Sequence, residues 1–299
     1  MTEKTSEAVS FNLKRTEIVR WDKCGSVSKD EIYLSVEEPL AIDLNGKKVA
    51  VLMRLPGSEK ELAVGFCVSE GLVESFDDIL LVHHCGSFKT LHPAAVSDAL
   101  ESRNVVRVIT AKTSISRSDD LTMLLVRSGC GRNNIAETGV ELPFCSSKLR
   151  ITAQTLAKMS ILLCNQQKVK RLSGGLHSAV LFDRLAQVVA GYEDVGRHNA
   201  MDKAIGHAML HNIRLDDKIL FTTGRTSYEM VTKAARVGIP VLVSLSSPTS
   251  LSVEYAQNCG ITLVGYVRQS KMIVYSCPER IDFATIDHKD YEERHSLAN

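Results

Sequence analysis

The sequence predicts an α/β protein, with a smaller β-rich α+β N-terminal part and a mostly parallel sheet in the C-terminal part. Two observations support this fold class. Two apolar runs flank Asn45-Gly46, a strong signal for a two-residue hairpin turn near the N-terminus. Further along, strand-like and helix-like patterns alternate with short connections, which requires parallel strands covered by helices. The alternating runs are KILFTTG, SYEMVTKAARVG, PVLVSL, SLSVEYAQNCG and ITLVGYV.

The N-terminal part is assigned to residues 1–130. Its hairpin is followed by Ser58, which precedes Glu61 with capping-box spacing and predicts the start of a helix that ends near Gly71. The runs NVVRVIT (104–110) and LTMLLVRS (121–128) predict two more strands.

The C-terminal α/β part is assigned to residues 151–280. Thr152 is expected to cap its first helix, the runs HSAVLF and QVVAGY are expected to be strands, and a helix is expected from about Asn199 to His211. Residues 131–150 contain many Gly, Asn, Ser and Pro residues and predict a mobile loop after the cysteine at 130. Residues 281–299 are charged and predict a tail.

Composition places the chain among ordinary globular proteins. It has 299 residues, 44% of them hydrophobic and 24% charged, and a net charge of +1. This balance gives no argument for a nucleic-acid or anionic-membrane partner. The N-terminus has no signal-peptide pattern and no run of about 18 apolar residues occurs, so we expect a soluble cytoplasmic protein.

Cys130 differs from the other seven cysteines because it stands between two glycines, in the stretch RSGCG. No two cysteines have C-x-x-C spacing, so the sequence contains no zinc-ribbon motif and no dithiol redox motif. We therefore expect no metal site. The glycines leave the sulfur uncovered, and Arg127 and Arg132 would favour its thiolate form. The alternative is a small residue packed under a strand end, but glycines offer the sulfur nothing to pack on.

Four polar clusters stand at the ends of predicted strands, where open α/β sheets bind ligands. They are SGGLHS (173–178), EDVGRHNAMDK (193–203), TTGRTSYE (222–229) and SSPTS (246–250). The last two place small residues at strand-to-helix turns, where free N–H groups and the helix dipole favour an anion. The alternative is that their Ser and Thr residues only cap helices.

The candidate ligand residues in these clusters are His177, Arg197, Gly224 and Arg225. Arg225 offers a planar fork that suits phosphate or carboxylate. Arg197 belongs to a densely charged stretch whose side chains could bind a polar ligand or could pair among themselves. The ionisable residues of that stretch are Glu193, Asp194, Arg197, His198, Asp202 and Lys203.

Several stretches together resemble the formate dehydrogenase accessory sulfurtransferases of the FdhD/NarQ type. They run from about residue 37 to 277 and are EEPLAIDLNGKKVAVLMRLPG, ELAVGFCVSEGLV, RSGCG, SGGLHSAVL, EDVGRHNAMDKAIG, TGRTSYEMVTKAARVGIPVLVSLSSPTSLSVEYAQNCGITLVGYVR and MIVYS. The resemblance implies a three-layer α/β/α fold of the cytidine deaminase-like type, a homodimer, and no zinc chemistry.

The resemblance also implies an activity. Proteins of this type accept persulfide sulfur from a cysteine desulfurase and pass it to the molybdenum bis-guanine-dinucleotide cofactor of formate dehydrogenase. Their loop usually reads S-C-G-x-C-G, whereas this chain keeps Cys130 and has Asn133 in the second position. A single thiol suffices to carry a persulfide. The replacement of the second cysteine by Asn133 therefore argues against a mechanism that requires a second loop thiol to resolve the persulfide. Cys145 lies in the same irregular segment and could substitute.

The resemblance assigns cofactor binding to the stretch after the last parallel strand, YVRQSK. Its residues are Tyr266, Val267, Arg268, Gln269, Ser270 and Lys271. The family often ends this stretch with P-G-R. Lys271 keeps the positive charge of that arginine but loses its bidentate fork.

Two alternatives remain. A cofactor-binding chaperone without sulfur transfer would keep the nucleotide site and explain the missing second cysteine. A zinc-dependent deaminase is suggested only by the fold analogy, and neither H-x-E nor C-x-x-C spacing occurs in the chain. The glycine-flanked Cys130 favours sulfur transfer over both.

Overall fold

The computed structural model describes residues 11–84, 103–111, 142–283 and the backbone of 124–126. The α-helices in these ranges are α1 (Glu59–Ser69), α2 (Ala153–Gln166), α3 (Lys170–Ser173), α4 (Arg197–Leu210), α5 (Tyr228–Arg236) and α6 (Ser250–Asn258). The strands are β1 (Leu13–Trp21), β2 (Val27–Ser35), β3 (Glu38–Leu44), β4 (Lys47–Arg54), β5 (Ile79–His84), β6 (Val105–Thr110), β7 (Leu124–Val126), β8 (Ile151–Thr152), β9 (His177–Phe182), β10 (Val188–Asp194), β11 (Ile219–Thr222), β12 (Val241–Ser244), β13 (Thr262–Gly265), β14 (Ile273–Ser276) and β15 (Ile281–Asp282).

The C-terminal part is built on a six-stranded sheet with the order β10-β9-β11-β12-β13-β14. Strands β11, β12 and β13 are parallel, as the two predicted β-α-β units require. The prediction of a mostly parallel sheet is wrong for β9, β10 and β14, which pair antiparallel with their neighbours. The links β9–β10 and β13–β14 are too short for the crossover that a parallel pair needs.

Helices lie on both faces of this sheet. One core cluster joins alternate strand residues such as Leu181 and Leu220 to residues of α4, α5 and α6. The other joins Val180 and Phe221 to α2, through Leu156 and related side chains. The alternation follows from the strand period of two, which sends neighbouring residues to opposite faces. The likeness to a cytidine deaminase-like fold stays a prediction.

The N-terminal part is a five-stranded sheet with the order β5-β6-β3-β4-β7, covered on one face by α1. Asn45 and Gly46 have φ of 52° and 82°, which confirms the predicted turn between β3 and β4. The predicted capping box is wrong. Ser58 precedes α1 but has a φ of 60° and makes no side-chain cap, and the Glu59 carboxylate accepts instead from the Gly57 N–H.

Strands β1 and β2 form a separate two-stranded arm that the sequence analysis missed. Polar and apolar residues do not alternate regularly along β1 and β2, because most side chains on both faces of this arm are exposed. The sequence therefore lacks the pattern that predicts a strand. At the tip, Trp21 pairs with Val27, and these side chains are 70% and 68% exposed. At the base, the Ser35 hydroxyl contacts the Ser173 hydroxyl of α3 at 2.5 Å.

Helices α1 and α4 join the two parts by direct backbone contact. A Cβ atom added to Gly65 would lie 1.8 Å from the carbonyl oxygen of Asp202, and one added to Gly206 would lie 1.9 Å from that of Glu61. Since real Cβ contacts are never this short, only glycine allows this crossing. The N-terminal and C-terminal parts therefore pack as one body.

Two of the described residues of the predicted loop 131–150 are buried, since Cys145 and Leu149 are each 8% exposed, and the Cys145 N–H donates to the Cys259 carbonyl at 2.8 Å. Ile281 and Asp282, which the sequence assigns to the tail, form β15, which pairs with β8, and Ile281 is buried. Among the helices described, none combines the length and the apolar character needed to cross a bilayer.

The α1–α4 crossing leads to a first prediction. Gly206→Ala should lower the free energy of unfolding by about 1–3 kcal/mol or more, because the new methyl group can be accommodated only by moving the helices apart. Urea unfolding followed by circular dichroism measures this loss. Gly191→Ala is the matched control, since its Cβ would meet only the flexible Gln166 side chain at 3.3 Å. Equal stability of the two variants would contradict the packing argument.

Candidate functional site

The four polar clusters lie at one edge of the six-stranded sheet. This edge contains the carboxyl ends of the parallel strands β11 to β13. Strand β9 runs antiparallel to β11, so its first residue His177 is brought to the same edge, beside the turn that follows Thr222. Strand β10 reverses again, and Asp194 at its carboxyl end pairs with His177. The edge is thus the place where the ligand of an open α/β sheet is expected.

Hydrogen bonds between consecutive turns hold this edge in shape. The Thr226 N–H donates to Ser247 O at 3.1 Å, and the Thr249 N–H donates to Thr226 O at 3.1 Å. The Tyr266 N–H donates to Ser246 O, also at 3.1 Å. The turns after β11, β12 and β13 therefore form one connected surface.

The helix-capping alternative holds for one of the two clusters. Thr249 caps α6 through a reciprocal capping box, in which its hydroxyl accepts from the Ser252 N–H at 3.3 Å and its own N–H donates to the Ser252 hydroxyl at 2.9 Å. Ser227 makes no such cap on α5. Its hydroxyl lies 3.3 Å from Nε2 of His198, so it faces the charged groups at the edge.

The centre of the edge is a cationic cluster around Gly224. A Cβ atom on Gly224 would lie 3.0 Å from Cβ of Arg197 and 3.1 Å from Nδ1 of His177, so both side chains pack directly against this glycine. Arg225 follows and is exposed. The structure therefore brings together the four residues that the sequence analysis selected from three different clusters.

The positive charges of this cluster are incompletely balanced. Burial and then the charge of Arg225 lower the pKa of the Arg197 guanidinium, whose buried Nε has no hydrogen-bond partner among the described residues. Burial and then Arg197 lower the pKa of His177. A bound anion would relieve this repulsion and supply the missing acceptor. The cluster is therefore suited to phosphate or carboxylate.

The positive charge of Lys170 also acts on this cluster, and the sequence analysis did not select this residue. Its charge is one of the causes that lower the pKa of His177. The available signal was the basic run KVKR just before the Gly-Gly turn. A basic run is common on solvated surfaces, so it did not by itself indicate a site.

Most of the charged side chains in the stretch 193–203 have partners within the protein, although only Asp194 and Lys203 pair with each other. Lys203 Nζ lies 2.7 Å from an Asp194 carboxylate oxygen, and Lys233 Nζ lies 2.8 Å from one of Asp202. The Glu193 carboxylate accepts the backbone N–H groups of residues 169 and 170. The side chains of Glu193, Asp194, Asp202 and Lys203 therefore stabilise the fold, whereas Arg197 lies at the edge that contains the polar turns.

His198 belongs to this stretch and also has a protein partner. Its Nε2 lies 3.1 Å from a carboxylate oxygen of Glu229, at the start of α5. The hydrogen bond from His198 is the main reason that the pKa of Glu229 is lowered. Arg197 also contributes to this lowering, so the pair borders the cationic cluster.

The stretch 266–271 lies beside these turns, at the carboxyl end of β13. Tyr266 is 44% exposed and has a φ of 52°, a left-handed conformation that costs energy for a side chain of this size. Gln269, Ser270 and Lys271 are exposed. These four side chains are available to a ligand.

The other two residues of the stretch shape the loop. The Val267 side chain is fully buried in the core, so the expectation that it binds a ligand fails for its side chain. The Arg268 guanidinium donates to the carbonyl oxygens of Leu245 and Val267 at 2.8 Å each, which ties the loop to the preceding turn. Part of its hydrogen-bonding capacity is therefore already used.

Cys130 and Asn133 lie outside the described residues. Cys145 is buried, and the Arg280 guanidinium donates to its carbonyl oxygen at 2.9 Å. A buried thiol behind a fixed backbone is poorly placed to substitute as a second loop thiol. Within the described ranges, no group of three His, Cys, Asp or Glu side chains is arranged to hold a metal ion.

The cationic cluster leads to a second prediction. Guanosine diphosphate should raise the melting temperature of the protein, since a ligand that binds only the folded state stabilises it. Arg225→Ala should abolish most of this shift, and should leave the unliganded melting temperature unchanged because the side chain is exposed. The control is Arg214→Ala, which removes an exposed arginine paired with Asp216. An unchanged shift in Arg225→Ala would exclude this arginine from the site.

The sequence profile of the FdhD/NarQ family matches residues 35–282 of the chain. "Sulfur carrier protein FdhD" of Streptomyces coelicolor is 38% identical over 267 residues, which cover 86% of this chain and 92% of that protein. The protein of the same name from Sulfolobus acidocaldarius is 36% identical over 262 residues, which cover 87% and 95% of the two chains.

A solved structure shows the same fold. The crystal structure of a protein from Desulfotalea psychrophila, assigned there as a formate dehydrogenase accessory protein, superposes with a TM-score of 0.68. It covers 90% of this chain and 99% of that chain at 23% sequence identity. The profile match extends over most of the chain, and curated relatives match at identities well above 30%. The chain therefore belongs to the FdhD/NarQ family.

Proposed function

We propose that this protein is a cytoplasmic sulfur carrier that acts in the maturation of formate dehydrogenase or a related molybdoenzyme. Cys130 takes sulfur as a persulfide from a cysteine desulfurase and delivers it to the molybdenum bis-guanine-dinucleotide cofactor. The curated relatives are named sulfur carriers, and they match over nearly their whole length. The protein is thus a sulfurtransferase, and the molybdenum cofactor is its substrate.

The observation that carries the proposal is the cationic cluster around Gly224, in which Arg197 and Arg225 supply the positive charge and His177 packs beside them. The guanine-dinucleotide arms of the cofactor contain pyrophosphate groups. Their negative charge complements this cluster, and a guanidinium fork matches phosphate oxygens in a bidentate manner. Tyr266 at the neighbouring turn offers an exposed ring on which a base can stack.

The chain connectivity is compatible with delivery to this edge. Strand β7 pairs in parallel with β4, with Val126 opposite Leu52, so both strands point the same way. Cys130 follows Val126 by four residues, a chain length that spans at most ~14 Å. Leu55, three residues after Leu52, contacts Asp194, and Arg197 begins the helix that follows. Strand β7, from which the chain continues toward Cys130, is thus the neighbour of a strand whose end contacts a residue of the candidate cofactor edge.

Sulfur loading from the desulfurase needs neither a metal nor a second loop thiol. The Cys130 thiolate attacks the outer sulfur of the desulfurase persulfide, the S–S bond there breaks, and the desulfurase cysteine leaves as a thiolate. Cys130 now holds the persulfide, so one S–S bond has formed for the one broken and no oxidant is consumed. Asn133 in place of a second cysteine is compatible with this one-thiol exchange.

A cofactor-binding chaperone without sulfur transfer is the second candidate function. Asn133 favours it, since the second loop cysteine usual in such proteins is missing. The chaperone would bind guanosine diphosphate at the same cationic cluster but would not gain sulfur. Measuring sulfur loading therefore separates the two functions.

The third prediction tests Cys130. Incubation with a cysteine desulfurase and cysteine should add the mass of one sulfur atom to the intact protein, about 32 Da, as measured by mass spectrometry. Cys130→Ala should not gain this mass, and Cys145→Ala should gain it as the wild type does, because Cys145 is buried. Sulfur gain in Cys130→Ala would refute the carrier role of Cys130. Loss of the gain in Cys145→Ala would show that both cysteines take part.

The fourth prediction concerns assembly. We propose that the protein acts as a homodimer, as the family resemblance implies. Light scattering at micromolar concentration should then give twice the chain mass of 32.9 kDa. A mass of one chain would refute the homodimer without affecting the site assignments, which rest on residues of a single chain.

A further inference from the structure

His177 is the member of the cationic cluster whose charge can change near neutral pH, because the arginines stay protonated throughout this range. It is the first residue of β9 and is half-buried. The next residue, Ser178, donates its N–H to the Thr223 hydroxyl at 2.9 Å, and the Thr223 N–H donates to the Ser178 carbonyl oxygen at 3.0 Å. These bonds hold the His177 ring against the turn that contains Gly224, where Nδ1 would lie 3.1 Å from an added Cβ atom.

Positive side chains face this ring from two helices and from the neighbouring turn. Burial is the largest cause that lowers the pKa of the ring, followed by the charges of Arg197, Lys170 and His198. Arg197 and His198 belong to α4, and Lys170 begins α3. Arg225 in the neighbouring turn acts on Arg197. Protonation of the ring therefore adds a positive charge to a group that is already positive.

The carboxylates near the ring are engaged by other groups. Asp194 of β10 lies opposite His177 in the sheet and raises its pKa, but less than each of the positive groups lowers it. The donors to the two Asp194 oxygens are the N–H groups of Leu55 (3.2 Å) and Gly196 (3.0 Å), Nδ2 of Asn199 (3.0 Å) and Nζ of Lys203 (2.7 Å). Glu229 of α5 lies 3.1 Å from Nε2 of His198 and pairs with that imidazole instead. Within the described ranges, no hydrogen-bond acceptor contacts the His177 ring.

These surroundings keep His177 neutral in the unliganded protein at neutral pH. Its pKa lies below the ordinary value of about 6.5, because an imidazolium here would be desolvated, repelled by its neighbours and left without an acceptor. A phosphate group bound beside Gly224, where Arg197 and the ring pack together, would supply both a negative charge and an acceptor oxygen. The charge of the ring therefore depends on whether the ligand is present.

We propose that His177 takes up a proton from solvent when a pyrophosphate group binds beside Gly224, so that the site acquires its full positive charge only around the ligand. This inference deepens the proposed function and rests on it, since the guanine-dinucleotide arms supply the pyrophosphate. The unliganded protein avoids the repulsion of a further charge. The complex gains an imidazolium that donates a charge-assisted hydrogen bond to a phosphate oxygen.

The pH dependence of binding follows from the two pKa values of His177, one in the free protein and one in the complex. The complex has the higher pKa. The additional affinity is therefore fully present below the pKa of the free protein and is lost as the pH rises through the pKa of the complex. Between these two values, the dissociation constant should rise by up to about tenfold for each unit of pH, which is the limit for one proton.

The test measures proton uptake by isothermal titration calorimetry in buffers of different ionisation enthalpy, between about pH 5 and about pH 8. The probe is diguanosine pyrophosphate, in which both phosphates are esterified and keep a constant charge in this range. Guanosine diphosphate is unsuitable, because its terminal phosphate itself titrates near about pH 6. The wild type should take up between about 0.3 and about 1 proton per bound probe and should bind more tightly at lower pH.

Two variants locate the proton. His177→Gln keeps a hydrogen-bonding side chain that cannot be protonated, so it should bind without proton uptake and with an affinity that does not change with pH. Its affinity should stay within about threefold of the wild type at about pH 8, and should be about fivefold or more below it at about pH 5. His198→Gln is the matched control. It removes the neighbouring imidazole, which is paired with Glu229, and should take up protons as the wild type does.

The outcomes separate the inference from the function on which it rests. Proton uptake by the wild type and by His198→Gln, together with its loss in His177→Gln, supports the inference. Binding of the probe without proton uptake, or uptake that persists in His177→Gln, would overturn it and leave the proposed function standing. If the wild type binds no probe at any pH, the cofactor site of the proposed function fails and the inference fails with it. Melting curves of the unliganded variants show that each one is folded.

Discussion

The backbone contact between α1 and α4 is the constraint on which the rest of the structure depends. Gly65 and Gly206 let the two helices approach until a side chain on either would overlap the other helix. The contact is short because it is formed by backbone atoms, so it leaves little freedom in how the two parts sit together. Without it, the N-terminal sheet would pack on the C-terminal sheet only through longer and more adaptable side chains.

Two buried Lys–Asp pairs become possible because of this approach. Asp194 with Lys203 and Asp202 with Lys233 both lie where the two parts meet, and water is excluded from each. Removing one partner of such a pair costs ~3–5 kcal/mol, because an uncompensated charge is left in the interior. The pairs thus add directional contacts to a junction that glycine packing has already brought together. They also explain why charged residues are dense in a stretch next to an apolar strand.

The ligand edge follows from the topology on the other side of α4. Reversal at β9 and again at β10 brings His177 and the start of α4 to the carboxyl ends of the parallel strands. Gly224 then allows Arg197 and His177 to pack on the turn after β11. The result is a group of positive charges held by hydrogen-bonded turns, in which Arg225 and Arg197 repel each other. An anion bound between them would reduce that repulsion, so the arrangement is suited to an anionic ligand.

The sequence by itself determined the local elements and the chemistry of the candidate residues. Strand and helix periods located β11 to β13 and their helices, and Asn45-Gly46 located the hairpin. The uncovered thiol at Cys130 stays a prediction. These features depend on neighbours in the chain, so a single sequence carries them. The family motifs, read as a resemblance, indicated the same clusters and were confirmed by the comparisons at the level of the family.

Only the tertiary structure decided which charged residues lie at the edge with the polar turns and which pair with other groups of the protein. The stretch EDVGRHNAMDK has the same composition in either case, and its partners Leu55, Ser69 and Lys233 come from distant parts of the chain. The burial of Val267, the antiparallel outer strands and the glycine contact between α1 and α4 were likewise set by long-range packing. Such contacts join residues whose separation in sequence leaves no periodic signal, so the folded chain alone assigns them.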